Sequence, residues 1–363
     1  MRRLAHSGAV TDQPAFAADF RPAPPLLLHP SSQRRTDSNS PLLRQAGETL
    51  TFVSHYLPIG HTMRCSTRGS WPDGSFATVG YVDDPAPGVG KWIQSVWRAP
   101  DGALFGWYHA EEKVPGATRL FLPHVGALRS DDEGLTWRLL GDLLRAPLAS
   151  ADRFYGNGFV AGGCGDFSVI PDRESRWFYL HYTSYVTDEA AQGISVLRYP
   201  VASRERPSGL EVWREGSWQP HDPGLAATPF FAVDRGWRHS DPAAYWGPAV
   251  HFNSAISSYV MLLNRTEGGR GDIVQRGVHV SFNRDPADPA GWSPPLQIVV
   301  HGSWYPQAIG LQDGEGDTLA GEEARFFMSG YSAWTIRFRP GRPSPPLEVS
   351  REKFAELFGS GPW

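Results

Sequence analysis

The segment DFSVIPDRESRWFYLHYTS, residues 166–184, contains two short β-type runs on either side of a turn. The first run, 166–170, is mostly apolar, and the second, 176–184, is rich in aromatic and β-branched residues, which favour strands. Pro171 and Asp172 between the runs are residues that favour tight turns. The segment therefore predicts a strand, a turn and a second strand that returns antiparallel to the first.

The same strand–turn–aromatic-strand unit occurs at 93–109, 247–264 and 306–329, and a fifth unit is indicated by 49–55 and 76–83. Each unit has room for four strands, and a recurring unit of four antiparallel strands is typical of a β-propeller blade. We therefore predict an all-β fold, a five-bladed β-propeller of four-stranded antiparallel blades. The alternative, a β-sandwich, would not repeat this unit.

The composition supports a turn-rich β protein. Glycine and proline account for 39 and 32 of the 363 residues, and so many turn formers argue against a helical bundle. The formal net charge of −4 argues against a nucleic-acid-binding protein. The sequence has no apolar run of 18 residues, so a membrane-spanning helix is not expected.

We expect one propeller domain over 47–345, with an irregular N-terminal lead-in over 1–46 and a C-terminal tail over 346–363. Strands from the two ends of the chain should combine to close the ring. The first residues lack the apolar stretch of a signal peptide, from which we expect a cytoplasmic protein. Cys65 and Cys164 are expected to be reduced thiols.

Residues 130–137, SDDEGLTW, fit the pattern S-x-D-x-G-x-T-W at every fixed position. The motif resembles the Asp box of sialidases and other propellers. In such a turn Asp132 accepts backbone N–H groups, Gly134 supplies a positive φ and Trp137 packs under the hairpin. The resemblance implies a hairpin between the third and fourth strands of a blade, and a structural rather than a catalytic role.

Two other segments resemble five-bladed glycoside hydrolases of the arabinanase, xylosidase and fructanase-like families. Residues 165–172 with 177–180 are similar to their D-P-S-V…D…Y-Y-L segment, and 246–250 are similar to their E-A-P segment. The resemblance implies a glycoside hydrolase that cleaves an oligo- or polysaccharide with two carboxylates in the central pocket. Trp246 stands where those families have a general-acid glutamate, so the resemblance does not supply a complete catalytic set.

In a propeller, the first strand of each blade begins at the pocket mouth and the second strand ends there. Asp166 is the one carboxylate at a predicted first-strand start, and Glu111 lies at a second-strand end, so we predict them as the catalytic pair. Asp166 should be the ionised base or nucleophile. Glu111 should be the protonated acid, because desolvation raises a carboxyl pKa. Asp241 is the next candidate for the second acid.

Eight further residues at or near the same rim are predicted to bind substrate. The aromatic ones would stack on sugar rings, the polar ones would hydrogen-bond, and the arginine would clamp a carboxylate or sulfate. Each also has a structural interpretation, as a core aromatic, a core histidine or an ion-paired arginine. The eight are His109, Arg265, Asn264, Trp92, Trp246, Tyr305, Gln307 and His61.

Two other functions remain open. A polysaccharide lyase would use His109 or Tyr305 as its base and an arginine to neutralise a uronate, and a non-catalytic propeller would only bind sugar. The sequence lacks HExxH, G-x-S-x-G and P-loop motifs, and its histidines do not cluster at metal-ligand spacing. No cofactor or metal is predicted, although an axial calcium is compatible with the fold. A carbohydrate is the predicted partner, with neither nucleic acid nor membrane.

Overall fold

The computed structural model describes residues 16–28, 36–55, 60–69, 71–72, 75–268, 273–350 and 352. Within these ranges the chain forms 25 strands, which confirms the predicted all-β class. Its helical segments are four short 3-10 turns, Leu148–Ser150, Glu189–Ala191, Val201–Ser203 and Pro289–Gly291. In the described part of the chain, no helix has the length and apolarity needed to cross a membrane.

The strands of the described residues form five sheets. Sheet 1 contains β2 (Leu42–Gln45), β3 (Glu48–His55), β4 (His61–Arg68) and β5 (Ala77–Thr78). Sheet 2 contains β6 (Gly80–Val82), β7 (Lys91–Arg98), β8 (Leu104–Lys113), β9 (Phe121–Ser130) and β10 (Thr136–Leu144). Sheet 3 contains β11 (Cys164–Pro171), β12 (Trp177–Ser184), β13 (Gly193–Pro200), β14 (Glu211–Arg214), β15 (Ser217–Pro220) and β16 (Phe231–Ala232).

The last two sheets complete the set. Sheet 4 contains β17 (Ala243–Asn253), β18 (Ser258–Glu267), β19 (Gln275–Asn283), β20 (Leu296–His301), β22 (Leu319–Ala320) and β25 (Leu347–Val349). Sheet 5 contains β1 (Phe16–Leu27), β21 (Gln307–Gly310), β23 (Glu323–Met328) and β24 (Tyr331–Pro340). The four complete strand–turn–strand units of the sequence correspond to β7–β8, β11–β12, β17–β18 and β21–β23.

Apolar clusters lie between neighbouring sheets and hold them around a common axis. Each cluster is built from aliphatic and aromatic residues of two neighbouring sheets. Burial of these apolar side chains drives the two sheets together. One ring contact illustrates each boundary: Phe52–Trp137, Trp107–Phe178, His181–Trp292, Phe16–Phe282 and Trp71–Phe327. The fold is therefore a β-propeller.

Side chains connect the axis-facing segments of neighbouring sheets. These segments do not pair with one another through a backbone ladder, so some of their N–H groups need side-chain acceptors. The bonds are Phe167 N to Gln94 Oε1 (2.9 Å), Val169 N to Ser95 Oγ (2.9 Å), Val250 N to Ser168 Oγ (3.0 Å) and Ser40 N to Gln307 Oε1 (2.7 Å).

The prediction of an irregular lead-in is wrong for residues 16–27 and 42–45, which are strands. Strand β1 pairs antiparallel with β24, from Phe16 opposite Pro340 to Leu27 opposite Tyr331. This pairing confirms that the two ends of the chain close the ring. Pro22, Pro24 and Pro25 suggested an irregular segment, but prolines are also tolerated on an edge strand, where an N–H donor is not needed.

Two other boundaries differ from the prediction. The segment 76–83 is shared between two sheets, because β6 pairs in parallel with β10 of sheet 2. The predicted tail contributes β25, which pairs in parallel with β20; residues 353–363 lie outside the described ranges. Sheets 2, 3 and 4 have more than the four strands expected of each blade.

The hairpin 130–137 joins β9 to β10, the third and fourth strands of the antiparallel run in sheet 2. Asp132 accepts hydrogen bonds from Thr136 N (2.9 Å) and Thr136 Oγ1 (2.7 Å). Gly134 has a φ of 78°, and a Cβ at this position would meet the Phe52 ring of sheet 1 at 2.4 Å. The hairpin therefore needs glycine both for its turn and for its close packing on the neighbouring sheet.

Candidate active site

Three carboxyl groups lie around His109 at the rim where the inner strands begin. The imidazole Nε2 is 3.4 Å from Glu111 Oε1, and Nδ1 is 4.0 Å from Asp166 Oδ1. Asp37 joins the group through Trp92, whose ring packs against His109 with centroids 5.5 Å apart. Trp92 donates its indole N–H to Asp37 Oδ2 at 3.2 Å. The structure thus brings the predicted pair, Asp166 and Glu111, together with a third carboxyl group.

Asp166 sits at an irregularity in its strand. The register between β11 and β12 shifts between Gly165 and Phe167, and Asp166 itself has a φ of 43°. A left-handed conformation costs free energy for a residue other than glycine. Its N–H donates to His109 Nδ1 (3.0 Å), and its carbonyl accepts from Thr183 Oγ1 (3.2 Å). Bulges of this kind re-aim a side chain, here toward the rim.

Two tyrosine hydroxyls approach the Asp166 carboxylate from different sides. Tyr185 donates to Oδ2 at 2.6 Å, and Tyr305 donates to Oδ1 at 3.5 Å. The Asp166 side chain is 14% exposed, so it remains partly accessible to solvent. Tyr305 also has a positive φ, 53°, so two strained residues meet at this carboxylate.

The hydrogen bond from Asp166 N determines the tautomer of His109. Because Nδ1 accepts that N–H, the proton of a neutral imidazole is on Nε2, the nitrogen that faces Glu111. The ring is almost fully buried and packs edge-on against Trp92, with centroids 5.5 Å apart. His109 therefore lies between the two predicted catalytic carboxyl groups.

Burial and mutual repulsion shift the titration of this cluster. Burial, followed by the charges of Glu111 and Asp166, raises the pKa of Asp37 to about 8. Burial also raises the pKa of Asp166, while His109 and the hydroxyl of Tyr185 oppose that rise. For His109, burial acts to lower the pKa, but Glu111 and the charge of Asp166 outweigh it, and the net pKa is raised.

Asp37 and Tyr185 are the two site residues that the sequence analysis missed. Asp37 falls in the segment predicted to be irregular, although its N–H donates to Ser54 O (2.9 Å) and places it beside sheet 1. Had the segment around Asp37 been assigned to the propeller, the rule that first strands begin at the pocket mouth would have identified Asp37. Tyr185 directly follows β12, a predicted second-strand end.

Three predicted aromatic residues lie at or behind the carboxyl groups. Trp92 contacts both Asp37 and His109, and Tyr305 contacts Asp166. Trp246 packs against Tyr305 with centroids 5.7 Å apart. Because it is only 7% exposed, Trp246 serves as a supporting core residue rather than an open stacking platform.

The charged residues Asp241 and Arg265 are occupied by ion pairs elsewhere. Asp241 Oδ1 lies 3.3 Å from Arg235 Nε, and Arg265 Nη2 lies 2.6 Å from Asp234 Oδ2. Arg265 also stacks on the Tyr245 ring. The structure therefore favours the ion-pair interpretation of Arg265 over a clamp for an anionic sugar.

The remaining predicted residues make hydrogen bonds within the fold. Gln307 bonds Ser40 next to the axis, and the buried Asn264 donates to the Trp246 carbonyl (3.3 Å). His61 Nε2 lies 3.1 Å from Thr78 Oγ1 at an exposed position. Among the residues that the structure describes, no group of three or more His, Cys, Asp or Glu could hold a metal ion. Cys65 and Cys164 are both thiols.

No family model matches the sequence, and no curated protein matches it. Solved structures do match. The α-L-arabinofuranosidase of Fusarium graminearum, in complex with an iminosugar inhibitor, is 12% identical with a TM-score of 0.50 over 92% of this chain and 87% of that chain. The α-L-arabinanase of Penicillium chrysogenum is 12% identical, with a TM-score of 0.49 over 85% and 93%.

The native arabinanase of Bacillus subtilis is 10% identical, with a TM-score of 0.47 over 85% of this chain and 96% of that chain. At such low identity a structural likeness shows the fold alone. This chain is accordingly a β-propeller that shares its overall fold with the arabinofuranosidase of Fusarium graminearum.

Proposed function

We propose that the protein is a glycoside hydrolase that cleaves a neutral oligo- or polysaccharide at the rim of a five-bladed propeller. The observation that carries the proposal is the convergence of Asp37, Glu111 and Asp166 around His109. Glycoside hydrolysis needs one carboxyl group to protonate the leaving oxygen and another to act as base or nucleophile. A pocket with several carboxyl groups in unequal environments meets that need.

The blade count rests on the sheets and on the clusters between them. Each of the five sheets of the described residues shares an apolar cluster with the next, and sheet 5 shares one with sheet 1. Strand β1 supplies the outer strand of sheet 5 from the N-terminal end of the chain. This arrangement supports a ring of five blades.

The two chemical roles follow from what surrounds each carboxyl group. Burial raises the pKa of Asp166, but two tyrosine hydroxyls donate to its carboxylate and oppose that rise, so we assign Asp166 as the base or nucleophile. Asp37, with a pKa of about 8, keeps its proton at neutral pH and is the proton donor. The role of acid that the sequence suggested for Glu111 thereby passes to Asp37. Glu111 faces His109 Nε2 and orients that ring.

A lyase is less well supported by the same pocket. A lyase that acts on uronates needs a cation to neutralise the sugar carboxylate, and Arg265, the predicted candidate, is paired with Asp234. Burial raises the pKa of Tyr305 well above its ordinary value, which disfavours the phenolate that a tyrosine base requires. The Asp166 carboxylate would also repel an anionic sugar. These features favour a neutral substrate and hydrolysis.

A screen of neutral glycans with the wild type and Asp166→Asn tests the proposal. Arabinans and aryl arabinofuranosides are the first substrates to try, because the similar structure from Fusarium graminearum is an α-L-arabinofuranosidase. We expect reducing-sugar release by the wild type and a fall in kcat of about 10³-fold in Asp166→Asn. The melting temperature should change little.

Asp241→Asn is the matched control, since it removes a third predicted carboxylate, which is paired with Arg235, and should leave kcat unchanged. Product absorbing in the near ultraviolet would identify a lyase instead. Glycan binding without turnover would identify a sugar-binding propeller. Near-wild-type turnover by Asp166→Asn would remove Asp166 from the mechanism.

A further inference from the structure

The hydroxyl of Tyr185 hydrogen-bonds to the Asp166 carboxylate. The backbone and the ring of Tyr185 make further contacts that hold the hydroxyl in place. Tyr185 is buried, and its hydroxyl lies 2.6 Å from Asp166 Oδ2. Its backbone N–H donates to Gly163 O (2.9 Å), and its carbonyl accepts from Tyr155 Oη (2.9 Å). The ring packs edge-on against Trp237 with centroids 5.0 Å apart. Contacts on the backbone and on the ring therefore fix the position of the hydroxyl.

Among the described residues, the groups that act on the Asp166 carboxyl are histidine, tyrosine and carboxyl side chains. They are His109, Glu111, Tyr185 and Tyr305, with Asp37 as a further neighbour through its charge. His109 Nδ1 accepts the Asp166 N–H and therefore has no proton to donate to the carboxylate. The tyrosine hydroxyls are thus the donors in this set, and the bond from Tyr185 is shorter than the bond from Tyr305.

We propose that Tyr185 is a positioning residue for Asp166, whose hydroxyl orients the carboxylate and stabilises its ionised form. The inference rests on the proposed function for its catalytic meaning, but the interaction itself can be tested without turnover. Burial raises the pKa of Tyr185 well above its ordinary value, so the hydroxyl keeps its proton and remains a donor. Tyr185 therefore does not act as a base.

Tyr185→Phe removes the hydroxyl and keeps the ring that packs on Trp237. Loss of a hydrogen bond to a charged group should raise the pKa of Asp166 by about one to two units. A titration of the aspartate carboxyl carbons by ¹³C NMR, with the Asp166 signal assigned by its loss in Asp166→Asn, measures this shift directly. In the proposed hydrolase, the acidic limb of kcat/KM should move to higher pH by the same amount.

Tyr108→Phe is the matched control, because Tyr108 is also buried and also donates to a carboxylate, Asp142 Oδ1 at 3.2 Å. It should leave the Asp166 titration and the acidic limb unchanged. Tyr305→Phe should shift the Asp166 titration by less than Tyr185→Phe, given its longer bond. If Tyr185→Phe fails to fold, a shift of about one to two units or more in Tyr305→Phe would show that Tyr305 is the main donor and would contradict the inference.

An unchanged Asp166 titration in a folded Tyr185→Phe protein would overturn the inference. If the Asp166 titration shifts but the wild-type protein turns over no glycan, Tyr185 still orients Asp166. The proposed hydrolase activity would then be refuted. A shifted titration without a matching shift of the acidic limb would show that Asp166 is not the ionised catalyst. The three results separate the interaction from the function.

Discussion

Asp37 and Asp166 share one pocket but have different donors. Asp166 accepts from two hydroxyls, whereas Asp37 accepts from the weaker N–H donor of Trp92 at 3.2 Å. Hydrogen bonds to a carboxylate favour its ionised form. Two neighbouring carboxylates repel each other, so ionisation of one carboxyl group raises the pKa of the other. The environment thereby separates a protonated group from an ionised one, as an acid–base pair requires.

Asp37→Asn should change both the pH dependence of activity and the stability of the fold. With Asp37 as proton donor, the wild-type kcat/KM should fall above pH 8, since the pKa of Asp37 is about 8. The Asn variant should lose this alkaline limb of the pH profile, and it should lose most of its activity on substrates with poor leaving groups. Aryl glycosides, which need less protonation of the leaving group, should be affected least.

The stability effect of Asp37→Asn has a definite sign. The folded pKa of Asp37 is raised above the unfolded value of 3.8, so between pH 3.8 and 8 the unfolded chain ionises while the folded protein stays protonated. The wild type therefore loses stability as pH rises through this window, by at most about 1.4 kcal/mol per pH unit. The Asn variant should melt higher than the wild type at pH 7.5, with a smaller difference at pH 5.

Asp317→Asn is the control for that measurement. Asp317 accepts from Leu42 N (2.9 Å), and burial raises its pKa to about 7. Its substitution should give a similar pH-dependent gain in stability and leave the kcat/KM profile unchanged. If Asp317→Asn also removed the limb near pH 8, that limb could not be assigned to Asp37.

Among the structural elements, the hairpin 130–137 joins β9 to β10 and is held by short-range hydrogen bonds. Asp132→Ala should remove its bonds to Thr136 N and Thr136 Oγ1, at a cost of the order of 1 kcal/mol in the free energy of unfolding. The activity should be unaffected, because the hairpin lies between third and fourth strands and the site lies at first-strand starts. Urea denaturation and steady-state kinetics check the two halves of this prediction.

Asp131→Ala is the matched control in the same turn. Asp131 is 65% exposed and pairs with Arg129 at 2.6 Å. Exposed ion pairs contribute about 0–1 kcal/mol, so this variant should be closer to the wild type in stability than Asp132→Ala. Equal losses in both variants would contradict the assigned role of the Asp132 hydrogen bonds.

Strand β1 shows how one element completes the ring. Its pairing with β24 covers an edge that would otherwise present unpaired N–H and C=O groups. Phe16 also joins the apolar cluster of sheets 4 and 5 and contacts Phe282 with centroids 4.9 Å apart. The ring is thus closed by backbone pairing as well as by apolar burial.

For the whole molecule, several buried histidines make the fold sensitive to acid. Burial lowers the pKa of His181 and His251 to about 3, and lowers the pKa of His124 and His279 to about 4. Both ring nitrogens of His181 lack a partner within the described protein. Between the unfolded pKa of 6.5 and these folded values, the unfolded chain binds protons that the folded protein does not. Stability should therefore fall as pH is lowered through this window.

His181→Leu should weaken this acid sensitivity. Each buried histidine lowers the free energy of unfolding by at most about 1.4 kcal/mol for each pH unit between pH 6.5 and its folded pKa. Asp37 and Asp317 partly compensate, because their raised pKa values make the fold more stable as pH falls. Urea denaturation at pH 7, 6 and 5 should give a shallower fall of the unfolding free energy for His181→Leu than for the wild type. Equal slopes would contradict the prediction.

The sequence by itself determined the strands, the repeat and much of the rim. Alternating apolar residues and turn formers are local properties, so units such as 166–184 identify their strands without knowledge of their neighbours. The rule that first strands begin and second strands end at the mouth then selected Asp166, Glu111 and His109, which do lie together. These residues could be found because their positions follow from local strand order.

Tertiary structure alone decided which other groups join them. Asp37 lies in a polar segment without a strand pattern, and it reaches the site only because the N-terminal part of the chain is built into the ring. The ion pairs of Arg265 and Asp241 and the Tyr185–Asp166 bond link residues that are distant in sequence or separated by a turn. Closure of the ring brings such groups together, and this depends on packing between sheets, which strand periodicity does not encode.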